Sequence, residues 1–266
     1  MATPSSSKLS GKTLLITGAS MGIGAHLARE FAGHGANLIL VARSADKLQA
    51  LTEELNSLAP CRFEACDLGE PEAVKSLLQR LQNLDRLDGL VLNAGIGLYG
   101  KFENTEERDI RRLFEVNFFS YLTLIRGLLP ALKKSRSPRI MTVSSIVGWR
   151  AIARLSTYSA SKSALNGFVE ALRIELKPQG IAITNTYPPR VRTDFTANAK
   201  SSGWRPFATD SGGQAPELTA KRMVRAYLRG KRDAYISLSN RLLIWGNFLF
   251  PGLIDWGLER YFRKQP

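Results

Sequence analysis

Two rhythms of apolar residues alternate along the chain. Short unbroken apolar runs predict strands covered on both faces, and stripes spaced by three and four predict helices lying over them. Thr13 to Thr17 (TLLIT) opens as a buried strand. Gly22 to Gly33 follows as a helix, with Ile23, Leu27 and Phe31 four apart on one stripe. Asn37 to Ala42 predicts a second strand. Ser44 then predicts an N-cap for a helix striped by Leu48, Leu51, Leu55 and Leu58. Arg62 to Cys66 is a short third strand ending at Asp67. Pro71 stands where a first-turn proline belongs, with Val74, Leu77, Leu78 and Leu81 behind it.

The second half continues in the same way. Gly89 to Leu92 is the fourth strand, and Asn104 with Glu107 predicts a capping box. Phe118 to Leu132 is apolar enough for a buried helix, and Arg139 to Val143 is the fifth strand. Tyr158 to Leu176 predicts a helix facing inward through Leu165, Phe168, Val169 and Leu172, before a sixth strand at Ile181 to Tyr187. Residues 195 to 215, rich in Ser, Gly, Thr and Pro, predict a long loop, either a functional lid or a disordered segment, and the stretch from Phe195 to Pro216 is expected to form much of the pocket wall. Ala220 to Leu228 is helical again, and Ala234 to Leu238 is a last strand. Strands alternating with helices, without repeat or linker, predict one α/β domain over residues 1–266.

Composition narrows the chemistry. The 266 residues, 44% apolar, suit one sizeable core. Cys61 and Cys66 are too few to staple a fold, so a reducing, cytoplasmic compartment is expected. Without further ligands they read as ordinary residues near a strand, and no metal site is expected. With only His26 and His34 available, a His-built zinc site or a Ser-His-Asp hydrolase is excluded. The formal charge of +14 invites an anionic partner. Its Lys and Arg residues are scattered and match no nucleic-acid module, so no nucleic acid is expected and a phosphate-rich cofactor fits better. The lead-in MATPSSSKLSGK has no apolar core, so a flexible segment rather than a secretory signal is expected.

Two short stretches carry the chemistry. TGASMGIG, Thr17 to Gly24, joins the first strand to the first helix. Gly18, Gly22 and Gly24 allow a tight turn and let a pyrophosphate approach the backbone, while the helix N-terminus favours its charge. Tyr158 and Lys162 share a helix face one turn apart, so an ammonium can lie beside a phenol and favour phenolate. Tyr227 and Lys231 repeat that spacing, and spacing alone does not choose between the pairs.

The G-x-x-x-G-x-G spacing resembles the short-chain dehydrogenase/reductase family. The likeness continues in order through CDL (Asp67, Leu68), NAG (Asn93, Ala94, Gly95), EVNFFS (Asn117), VSSIVG (Ser145), TYSASK and PPRVRTD (Pro188, Val191, Thr193), covering residues 12 to about 194. It implies a doubly wound Rossmann-type domain with a mostly parallel seven-stranded sheet. It also implies a homodimer or homotetramer. It selects Tyr158 and Lys162 over the second pair and makes Tyr227 structural. By the same resemblance, Ser145, Tyr158, Lys162 and Asn117 are the catalytic set. Tyr158 is then the general acid or base, Ser145 holds the carbonyl, and Lys162 binds the nicotinamide ribose. Asn117 positions water leading from Lys162 to solvent, and Ser144 is only a neighbour. The implied cofactor contacts include Gly18, Ser20, Met21, Gly22, Ile23 and Gly24, with Tyr158 and Lys162 also touching the nucleotide. Asp67 and Leu68 meet the adenine, Asn93 to Gly95 lie beside it, and Pro188, Val191 and Thr193 lie by the nicotinamide.

The second strand ends at Ala42 and is followed by Arg43, where an acid would bind the ribose hydroxyls. An arginine there suits a 2′-phosphate, so NADP(H) is the expected cofactor. Asp46 belongs to the first turn of the next helix. Two departures from the family stand out. Pro188-Pro189 replaces its Pro-Gly, which puts the turn beside the nicotinamide in question. The tail from residue 240 to 266 is aromatic and apolar but interrupted by Asn247, Pro251 and Asp255, which disfavours a membrane span. It suits peripheral membrane contact, or else packing over the substrate or a subunit interface. Either case points to a hydrophobic carbonyl or alcohol substrate. The alternative is a non-catalytic NADP(H)-binding sensor or a membrane-associated scaffold.

Overall fold

The structure, a computed structural model, describes residues 8–204 and 212–263. The chain runs β1 (Thr13–Thr17), α1 (Gly22–Gly33), β2 (Asn37–Ala42), α2 (Ala45–Leu55), β3 (Cys61–Ala65), α3 (Pro71–Arg80) and β4 (Gly89–Leu92). It continues through β5 (Leu98–Gly100), α4 (Glu107–Phe114), α5 (Ser120–Lys133), β6 (Arg139–Val143), α6 (Ser156–Leu176) and β7 (Ala182–Tyr187). Last come α7 (Phe195–Asn198), β8 (Lys200–Ser202), α8 (Pro216–Leu228), β9 (Asp233–Tyr235), α9 (Leu238–Leu249) and α10 (Pro251–Arg263).

Seven strands form one parallel sheet in the order β3-β2-β1-β4-β6-β7-β9. The chain winds outward from β1 to β3, then returns to β4 and winds the other way. The loops leaving β1 and β4 therefore part, and a crevice opens at their carboxyl ends. The pleat explains the two core layers. Leu14 and Ile16 of β1 face α1 and α8, packing with Leu27, Phe31 and Tyr227. Leu15 faces the other way and packs with Tyr121, Leu124, Leu165 and Val169. Burial on both faces is why these strands read as unbroken apolar runs.

The boundaries differ in places for local reasons. β3 begins one residue earlier, at Cys61, and Leu58 lies beyond the end of α2 with 60% of its surface exposed. Ser44 stands at the N-cap of α2 but its side chain makes no capping bond. Asn104 closes a 3₁₀ turn and Glu106 takes the N-cap of α4, so the predicted capping box does not form. The helix predicted from Phe118 begins instead at Ser120, after a π-helical turn over Glu115–Phe119. β9 stops at Tyr235, and Leu238 opens a helix. The segment predicted as loop contains α7 and β8, and β8 pairs in parallel with β5. Residues 205–211 of that segment, and residues 1–7 of the predicted lead-in, lie outside the described residues.

Candidate active site

The glycine loop is shaped by backbone proximity. Gly18 and Gly22 sit at φ +65° and +54°, where side chains are disfavoured. A Cβ on Gly24 would lie 2.0 Å from the Gly18 carbonyl oxygen, so only glycine lets α1 come this close. Ser20, Met21 and Ile23 are half-buried at the rim, and no side chain caps α1. Its first-turn amides therefore remain available to an anion. An uncapped helix start above a cradle that a Cβ would fill fits a dinucleotide pyrophosphate.

Buried hydroxyls and amides lock this loop to the end of β4. The Thr17 hydroxyl accepts from the Asn93 and Ala94 amides at 3.0 and 3.1 Å. Asn93 Nδ2 donates to the Thr17 and Gly18 carbonyls at 3.1 and 3.2 Å. Tyr121 donates to the Ala94 carbonyl at 2.6 Å. Gly95 faces the catalytic candidates, since a Cβ there would lie 3.4 Å from Asn117 Oδ1 and 3.6 Å from Lys162 Nζ.

Four side chains converge beside that cradle. Lys162 is 3% exposed, lies 5.9 Å from the Tyr158 ring centroid and donates to the Val143 carbonyl at 3.1 Å. Ser145 follows β6, accepts from the Val147 amide and hydrogen-bonds the Tyr158 phenol. Ser144 instead donates to Asn166 Oδ1 at 2.6 Å and is buried, which leaves Ser145 as the serine facing Tyr158. Asn117 sits in the π-helical turn. Its Nδ2 donates to the Ile96 carbonyl and to Ser161 Oγ, and its Oδ1 accepts from the Ile96 amide. Both amide protons are thus committed within the chain. The second pair comes apart: Tyr227 is buried with its ring edge-on to Phe31, and Lys231 lies beyond the end of α8.

Burial dominates the electrostatics of the Tyr158–Lys162 pair. Burial pushes the Tyr158 phenol above its ordinary value, Tyr99 adds to this, and the Ser145 hydrogen bond opposes it. Burial lowers Lys162 to about 8. Both shifts come from burial of the chain alone, whereas the expected lowering of the Tyr158 pKa also draws on a bound cationic nicotinamide.

The two ends of the crevice differ. Arg43 is exposed just past β2 and makes no ion pair among the described residues. Asp67 accepts from Arg112 at 2.6 Å and from the Gly69 amide at 2.9 Å, while Leu68 is buried. At the other end, Thr193 stands over the glycine loop, 3.3 Å from where a Gly22 Cβ would be. Val191 bridges to Gln214. Pro188-Pro189 turns with trans peptides and without a positive φ. Phe195 packs 6.0 Å from the Tyr158 ring, and Tyr99, Leu155, Ala199 and Trp204 continue an apolar wall to Phe262 of α10.

A parallel sheet with a glycine cradle at its switch point and a Tyr–Lys–Ser cluster alongside defines a dinucleotide-binding oxidoreductase class. A family model described as short chain dehydrogenase matches residues 12–203. The chain belongs to that short-chain dehydrogenase/reductase family. It is 34% identical over 258 residues to an Arabidopsis thaliana protein named 11-beta-hydroxysteroid dehydrogenase-like 4A, covering 94% of this chain and 84% of that one. It is 35% identical over 241 residues to a Danio rerio 3-dehydrosphinganine reductase, covering 85% and 71%. A short-chain dehydrogenase from Sphingobium yanoikuyae, solved with NADPH, superposes with a TM-score of 0.79 at 26% identity, over 96% of this chain and 98% of that one.

Tyr121 and the Asn117 partner Ser161 carry no signal in the sequence and are set by tertiary contacts, whereas Phe195 opens the segment expected to wall the pocket. Asn166 had a signal, since it lies four residues after Lys162 on the same helix face. Arg154 is the one non-glycine residue at positive φ among the described residues, at +65°.

Proposed function

We propose that the chain is an NADP(H)-dependent carbonyl reductase and alcohol dehydrogenase for an apolar substrate, working in a reducing compartment. One observation carries the reading: Tyr158, Ser145 and Lys162 converge beside the glycine cradle, against an apolar wall. The nicotinamide, when bound, supplies or accepts the hydride. Ser145 holds the carbonyl oxygen by donating its hydroxyl proton. Tyr158 gives its phenolic proton to that oxygen in reduction and takes it back in oxidation. In the chain alone burial keeps Tyr158 protonated, the form that donates in reduction, and turnover in either direction draws on added positive charge to bring its pKa down. Lys162 holds the nicotinamide ribose. Gly18, Ser20, Met21, Gly22, Ile23 and Gly24 hold the pyrophosphate, with Asn93, Ala94 and Gly95 beside the adenosine half. Asp67 and Leu68 meet the adenine, and Pro188, Val191 and Thr193 meet the nicotinamide. Asn117 ties the π-helical turn to Ile96 and Ser161 and would position the water leading from Lys162 to solvent. The free guanidinium of Arg43 supports 2′-phosphate binding, as do NADPH and NADP in neighbours from Sphingobium yanoikuyae and Shigella flexneri.

NADPH absorbance, followed with aldehydes, ketones, β-ketoacyl thioesters and steroid ketones, tests this. Tyr158→Phe lowers kcat at least about a hundredfold while NADPH binding persists. Arg43→Ala raises KM for NADPH by roughly tenfold or more and leaves NADH use unchanged. NADPH binding without turnover of any substrate, and indifference to Tyr158→Phe, would replace the enzyme with a sensor.

A further inference from the structure

The last two helices leave many large apolar side chains bare. On α9, Leu238, Leu242, Trp245 and Leu249 recur at i, i+4, i+7 and i+11, with exposures of 71, 60, 54 and 70%. That spacing gathers them into one narrow stripe. The opposite face of the helix is the one that docks on the protein, through Ile244 and Asn240. Phe250, Leu253 and Trp256 carry the bare surface onto α10 at 63, 64 and 60% exposure. So many bare large apolar side chains on two successive helices mark an interaction site.

Its border is cationic. The Arg241 guanidinium lies 4.8 Å from the Trp245 ring centroid, and that of Arg260 lies 5.8 Å from Trp256. Arg241 also lines a cleft of about 290 Å³ with Arg222, Arg225, Arg229 and Lys231. The cleft's single carboxylate, Asp233, is already paired with Arg173 and Arg232. Arg225, Arg229 and Lys231 make no ion pair among the described residues. The cleft is thus built for anions, and Arg241 joins it to the stripe.

We propose that this surface docks on an anionic phospholipid bilayer, with the stripe among the acyl chains at the headgroup boundary and the cleft on lipid phosphates. Tryptophans flanked by arginines on a short apolar helix are the chemistry of an interfacial anchor. α9 and α10 have 12 and 13 residues, and no helix among the described residues is long and apolar enough to cross a membrane. Pro251 begins α10 and separates it from α9. A second copy is a poorer occupant. Two-fold pairing of the patch sets one cationic surface against another, whereas an anionic bilayer complements it. The other side of the helix pair packs on the protein, with Phe248 on Trp149 and Phe262 on Trp204 of the apolar wall. The inference does not depend on the proposed reaction.

Co-sedimentation of the full chain with phosphatidylcholine vesicles, with and without phosphatidylglycerol, tests the docking. The chain should bind the anionic vesicles at least about tenfold more tightly, and added salt should weaken binding. Leu242→Glu with Leu249→Glu should abolish it. Arg225→Gln and Arg229→Gln should each weaken it about fivefold. NADPH binding and circular dichroism check that each variant is folded, and the arginine pair stands alone if the leucine pair misfolds. Absence of binding, or equal binding by every variant, overturns the proposal. So does a dimer, seen by light scattering, that the leucine pair dissolves while the parent binds no vesicles; the stripe would then belong to a second copy.

Discussion

Lys162 bears a cost that a surface lysine escapes. Its ammonium is 3% exposed, and burial lowers it from 10.5 to about 8. Between those values the unfolded chain holds a proton that the folded chain has released. Unfolding then binds a proton, so stability rises with pH across that window. The buried tyrosines act oppositely, because their raised values favour unfolding above pH about 10. In denaturant titrations, the parent should gain on Lys162→Met by about 1.4 kcal/mol per pH unit between pH about 8 and about 9.5. A difference that stays flat with pH would mean the amine is solvated. Arg154 shows what residue types conceal. Its backbone is held left-handed while its guanidinium lies 5.2 Å from the Trp204 ring centroid and its carbonyl accepts from the Gly100 amide. Nothing in its neighbours' identities announces that conformation.

Helices here show how the same residue type carries opposite consequences. Gly24 in α1 meets the Gly18 carbonyl, so Gly24→Ala must push α1 off the sheet. It should cost about 1–3 kcal/mol and lower NADPH affinity. Gly167 in α6 has nothing within 4 Å of a new Cβ and an ordinary helical φ. Gly167→Ala should stabilise by about 0.5–1 kcal/mol and leave affinity alone. Unfolding midpoints and NADPH fluorescence titrations measure both, and a stabilised Gly24→Ala would refute the cradle. α6 also joins a buried polar network: Asn166 accepts from Ser144 and Asn185, and Asn185 accepts from Thr142. These residues hold β6, β7 and α6 in register below the Ser145–Tyr158 pair.

Across the molecule, the sheet edge carries the nucleotide crevice on one side and an apolar wall on the other. The wall is closed by chain remote in sequence, since Arg154 and Trp204 meet Phe262. Arg150 bonds both Asn247 and Asp255. Phe262→Ala should therefore raise KM for apolar carbonyls several-fold and leave the NADPH Kd within about twofold. A change confined to NADPH binding would place that residue outside the substrate side.

The strands of the main sheet and the helices over it could mostly be read from apolar period, because burial on one face or two imposes it, whereas β5, α7 and β8 are too short to carry a period. The glycine loop and the Tyr158–Lys162 pair were legible for a related reason. Each is local, a turn or one helical step, so spacing encodes geometry. The conformations of Asn104, Ser44 and Leu238 were not legible, since competing local bonds decide a cap or a helix start and packing chooses among them. The Tyr158 and Lys162 protonation balance was likewise hidden. It depends on how much water the fold removes, and that comes from Tyr99, Phe195 and Gly95, brought together from distant parts of the chain. The tail's residue types showed an apolar, aromatic segment. Only its packing, through Ile244 and Phe262 on one side, determined which stripe stays bare.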